Sequence, residues 1–172
     1  MVLAIGLASL ILSVAGLTFL SLSATRPTNL GVRNGTLAIC LDTPNCVSSL
    51  SDSPTHSMPP MSIEDEQTGI QSLRLVIGRM DGAAVISSND NYLYCEFTTP
   101  LFRFVDDVEF LIDHDKRLIH FRSASRSGYD DMGTNRRRME EIRRLFAQAI
   151  SNATRAEPPA NSTAEQTAEN RR

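Results

Sequence analysis

The chain has 172 residues, 41% of them hydrophobic, with seven phenylalanines, no tryptophan and a formal net charge of −3. Those values fit one globular domain of ordinary size and exclude a collagen-like or wholly disordered chain. The mild acidity argues against a general nucleic-acid binder, which needs a net basic face to displace counterions.

Residues 1–24, MVLAIGLASLILSVAGLTFLSLSA, carry no ionisable side chain, and the first charge is Arg26. As a helix the segment would span about 30 Å, the thickness of a bilayer core. It reads as a transmembrane anchor in preference to a secretory signal, because it lacks a basic start and outruns most signal cores. Two addresses then compete for the domain behind it. Arg26 and Arg33 follow the segment and no Lys or Arg precedes it, which by the positive-inside tendency keeps the domain cytoplasmic. Cys40 and Cys46, six positions apart across Thr43-Pro44-Asn45, are spaced for a disulfide, which belongs to an oxidising compartment. The cysteines place the domain outside the cytoplasm, periplasmic or lumenal, with the membrane as its partner through residues 1–24.

Residues 25–66 read as an irregular arm, and VSSLSDSPTHSMPPM within it as surface loop, since three prolines deny helix and ladder hydrogen bonds. Cys40, Cys46 and His56 supply three ligands at irregular spacing where structural zinc needs four, so neither metal nor cofactor is expected. An α+β core follows over residues 67–150. Ile70, Leu73, Ile77 and Met80 recur at helical spacing. Ala83 to Ser87 and Tyr92 to Thr98 then form one hairpin, Asp106 to Asp113 and Arg117 to Ser123 a second around His114-Asp115. Cys95 falls on an apolar strand face as a core thiol. Pairing residues of the second hairpin whose numbers sum to 229 sets Phe110 opposite Ile119 and Val108 opposite Phe121 on one face. On the other it sets Asp107 opposite Arg122 and Glu109 opposite His120.

The last helix, from about Thr134 to Ile150, carries an apolar stripe of Met139, Ile142, Leu145, Phe146, Ala149 and Ile150 that suits the face built by Leu93, Cys95, Val108, Phe110, Ile119 and Phe121. Residues 151–172 are polar and without period, and read as a disordered tail. The order predicts a two-layer α+β sandwich, an antiparallel sheet of about four strands packed by two helices and preceded by the hydrophobic helix.

Chemistry concentrates in RSASRSGYDDMGTNRRRMEEIRRLF, residues 122–146. Arg136, Arg137 and Arg138 fall in the first helical turn, where the macrodipole favours acids. One reading is an anion site for a small molecule or lipid headgroup, in which Asn135, Arg136 and Arg138 at the helix start face Arg122 and Arg126. The other, which we favour, is a set of ion pairs in which Asp106, Asp107, Glu109, Asp130 and Asp131, with His120 beside them, absorb the arginines. A hydrolase built on Ser123 or Ser125 with His120 fails because Ser123 points away from His120 and no sharp turn presents either serine. No catalytic residue is therefore assigned.

The motifs RPTNLGV, CLDTPNCVSS, YLYCEFTTPLFRFVDDVEFLID and IHFRSASRSGYDDMGTNRRRMEEIR together resemble the domain-of-unknown-function family numbered 1499, from about Arg26 to Phe146. In that family the first cysteine usually has prolines beside it; this chain has Ile39 and Leu41 there. The resemblance implies a domain and no activity. The chain is thus expected to be a membrane-tethered, extracytoplasmic domain with a non-enzymatic binding or scaffolding role. The competing expectation is an enzyme or carrier for an anionic or lipid-like ligand at the arginine-rich helix start.

Overall fold

A computed structural model describes residues 2–63 and 66–156, apart from the side chains of residues 2–5, 8, 10, 66–68, 154 and 156. In it three helices and six strands run in the order α1 (Val2–Ser23), β1 (Cys46–Ser48), β2 (Met61–Ser62), α2 (Glu66–Ile77), β3 (Ala83–Ser88), β4 (Tyr92–Thr98), β5 (Val105–Asp113), β6 (Leu118–Ser125) and α3 (Thr134–Ala156). The strands form one antiparallel sheet in the order β1-β6-β5-β4-β3, with β2 pairing the start of β6. The class is α+β as expected, on a larger sheet.

Alternation along the strands sorts side chains to two faces. Leu93, Cys95 and Phe97 from β4, Val108, Phe110 and Ile112 from β5, and Ile119 and Phe121 from β6 are buried with Leu73 and Ile77 of α2 and Met139, Ile142 and Phe146 of α3. Burying a side chain of this size is worth roughly 1.5–3 kcal/mol, so this face supplies most of the cohesion. Burial pushes the Cys95 thiol up to about 12, with Arg138 nearby pulling the other way, which makes it a protonated core thiol. The turns follow local chemistry. Asn89 Oδ1 accepts the backbone N–H groups of Asn91 and Tyr92 at 3.1 and 2.8 Å, closing the β3–β4 hairpin. Gly82, at φ +73°, sits where an added Cβ would lie 2.4 Å from the Thr98 carbonyl, so only glycine lets β3 start beside β4.

Three expectations need correction. The two additional strands, β1 and β2, fall in the stretch read as irregular, and Val47, Met58 and Met61 of the supposed surface loop lie in the core. Strands of two or three residues carry no periodicity; they exist because β6 offers an edge. The β5–β6 register is shifted by two, so that Glu109 faces Arg122, Phe110 faces Phe121 and Leu111 faces His120. A shift of two preserves both faces, so face chemistry could not detect it. The loop decides it: Arg117 takes φ +53° and Asp113 Oδ1 accepts the Lys116 N–H at 3.0 Å, closing a longer turn than the His114-Asp115 pair. Finally, α3 continues through Ala156, because no proline interrupts it before Pro158; the rest of the expected tail, residues 157–172, lies outside the described residues.

In α1, Leu7, Ile11, Leu12, Phe19 and Leu22 are all exposed. Among the described residues no helix is long and apolar enough to cross a membrane. The transmembrane expectation drew on all of residues 1–24, of which Met1 and the side chains of residues 2–5, 8 and 10 lie outside the described ones.

Candidate functional site

The sheet divides the arginine-rich segment into two separate clusters. On the helix face, Asp131 caps α3: its Oδ1 accepts the Gly133 N–H at 2.8 Å and its Oδ2 the Asn135 N–H at 2.6 Å. A carboxylate thus already fills the place an external anion would take. Asn135, fully buried, donates from Nδ2 to the Asn45 carbonyl, Ser125 Oγ and Asp131 Oδ2 at 3.0, 3.0 and 2.8 Å, and its Oδ1 accepts from Ser123 Oγ and Arg138. Arg138 pairs with the buried Asp106 at 2.6 Å and lies 4.7 Å over the Phe97 ring.

The remaining cations of α3 find oxygens of the chain itself. Arg136 donates to the carbonyls of Thr55 at 2.9 Å and Ser57 at 3.2 Å, and Arg143 to that of Pro59 at 2.7 Å. These two arginines therefore hold the loop after β1 against α3. Arg137 caps the Met132 carbonyl at 2.7 Å, and Arg144 pairs with Glu141.

On the opposite face, Arg126 pairs with Asp107 at 2.7 Å and with Glu96, and donates to Tyr94 Oη at 3.0 Å. Tyr94 Oη in turn donates to Asp107 Oδ1 at 2.6 Å. Hydrogen bonding to Asp107 leads in raising the Arg126 pKa. Burial pushes the Glu96 carboxyl up, and hydrogen bonds from Arg126, Tyr94 and Arg26 more than offset it, leaving Glu96 below the ordinary range. Arg122, buried, reaches Glu109 at 3.4 Å, while its Nε has no hydrogen-bond partner. Glu109 Oε1 also accepts from Tyr92 Oη at 2.8 Å and from the Gly31 N–H at 2.7 Å. The part of the arm before β1, residues 25–45, thus closes over this face, pinned by Gly31 to Glu109 and by Arg26 to Glu96.

The candidate anion site is accordingly not assembled. Arg122 and Arg126 lie on one side of the sheet, Asn135, Arg136 and Arg138 on the other. The ion-pair reading is carried by Asp106, Asp107 and Glu109, with Arg126 rather than Arg122 as the partner of Asp107. Asp130 instead accepts the Met132 N–H at 2.7 Å. His120 stands beside Asp113, 3.8 Å from its Oδ2, with Nδ1 3.2 Å from Ser49 Oγ. Cys40 and Cys46 form a disulfide. Sequence reasoning missed Gly31, Asn45 and Arg26 as partners, since nothing local marks a contact made 70 or more residues away. Asp131 was recognisable only as an acid, although its place ahead of Gly133-Thr134 is a capping signal.

An antiparallel sheet with helices on one face and a buried ionic lattice under an arm on the other defines an ion-braced α+β domain. Residues 36–146, well over half of the chain, match the family model described as protein of unknown function (DUF1499), and the chain belongs to that family. No curated protein and no solved structure matches it significantly.

Proposed function

We propose that the protein is a membrane-tethered domain on the extracytoplasmic side with a non-enzymatic binding or scaffolding role. The observation that carries this reading is α1: 22 residues without a charge, apolar around its whole circumference, joined through a short arm to the sheet. A one-sided helix would suit an interface or a groove; an all-round apolar one suits lipid. Arg26, three residues beyond α1, is fixed by Glu96 at 2.5 Å and stacks 5.6 Å from the Tyr94 ring, so the tether enters the domain at a defined point. The Cys40–Cys46 disulfide supports an oxidising compartment. The ionic lattice supports a scaffold, because the carboxylates of Glu96, Asp106, Asp107 and Glu109 are spent on arginines, tyrosines and a backbone N–H of the chain itself.

Alkaline carbonate extraction of membranes from cells expressing the full chain tests the tether. The full chain stays in the pellet and a chain lacking residues 1–24 is released. Release of the full chain would remove the tether from this account.

A further inference from the structure

The Cys40–Cys46 disulfide has an inside and an outside. Cys46 is buried in β1, paired with Ala124, and its carbonyl accepts from His56 Nδ1 at 2.9 Å. Cys40 is only half-buried and lines a pocket of about 330 Å³ with Ser48, Leu50, Asp52 and His56. On either side of it Ile39 and Leu41 are 80% and 67% exposed, and Leu50 is exposed across the pocket. Three large exposed apolar side chains therefore lie around the half-buried Cys40. Nothing in the core uses them, and each lies where a polar residue would cost the fold little.

We propose that this patch is a site of thiol–disulfide exchange with a protein dithiol of the thioredoxin type, which docks on Ile39, Leu41 and Leu50 and attacks Cys40. Exchange is an in-line displacement, so the attacking thiolate approaches Cys40 Sγ from the side away from Cys46. Cys40 lines the pocket, whereas Cys46 is buried in β1 and offers no such approach. The partner's thiolate bonds to Cys40 Sγ and the Cys40–Cys46 bond breaks, leaving Cys46 as a thiolate. The partner's second thiol then attacks its own sulfur in the mixed disulfide and expels Cys40. Two electrons pass from the dithiol to the disulfide; the partner ends as a disulfide, and its two protons end on Cys40 and Cys46. Asp42 and Asp52 also line the pocket, so a small anionic thiol such as glutathione meets two carboxylates that the apolar partner surface can pass. Because Cys46 stays held by β1 and His56, reduction frees the residues around Cys40 and leaves the sheet intact. This site is independent of the tether.

The test mixes the oxidised full chain with a thioredoxin whose second active-site cysteine is replaced by serine, and maps the trapped mixed disulfide by peptide mass. The link falls on Cys40. Ile39→Asn with Leu41→Asn, which adds no charge beside Cys40, lowers trapping at least tenfold while reduction by dithiothreitol proceeds at the wild-type rate, which also shows that the variant is folded. Cross-linking at Cys46, equal trapping of the double asparagine variant, or reduction by dithiothreitol without any trapped complex would each overturn the proposal.

Discussion

At the scale of residues, the arginines of the 122–146 segment behave as internal braces. Asp106 and Arg138 show what that implies energetically. Both are nearly buried, and desolvating two charges offsets much of their attraction, so the pair adds little net stability while the loss of one partner strands the other. Arg138→Met is therefore expected to cost about 3–5 kcal/mol, read as a lower urea midpoint at unchanged slope. Combining it with Asp106→Leu should recover most of that loss. A cost below about 1 kcal/mol for the single change, the value of an exposed pair, would show that the bridge is not closed in solution.

His120 supplies a second residue-level expectation. Burial pushes its imidazole down, and the Asp113 carboxylate only partly offsets this. The folded chain thus binds the proton less readily than the unfolded one, whose histidine titrates near about 6.5. Between that value and the lower folded one the unfolded state holds more protons, so His120 makes stability fall as pH drops through that window and level off below it. His120→Gln should flatten this part of the stability–pH curve in equilibrium urea unfolding. An unchanged slope would place the imidazole in water.

At the scale of elements, what was legible followed the range of the signal. The periodicity of Ile70, Leu73 and Ile77 and the alternation of Val108, Phe110 and Ile112 are local, and α2, β4, β5 and the start of α3 lie where they point. Strands β1 and β2 were not legible, because Cys46–Ser48 and Met61–Ser62 become strands only by meeting β6. The β5–β6 register was legible modulo two, since sliding Glu109 from His120 to Arg122 keeps every residue on its face. The same slide changes which acid each arginine meets. For that reason the ion-pair character of the segment could be read from sequence and its partners could not.

At the scale of the whole molecule, the arm joins the parts. It leaves α1, crosses over the polar face held by Arg26 and Gly31, and is tied back to β1 through Cys40 and Cys46. The proposed tether and the disulfide thus sit at the two ends of one segment, so the address of the protein and its chemistry can be read at the same residues. The most direct measurement is labelling with a membrane-impermeant maleimide on cells whose cytoplasmic membrane is intact, before and after an impermeant phosphine reductant. The account predicts that Cys40 and Cys46, recovered with the membrane fraction, are modified only after reduction. Thiols at these positions that stay unlabelled on intact cells with reductant, yet react without reductant once the cells are lysed, would contradict it.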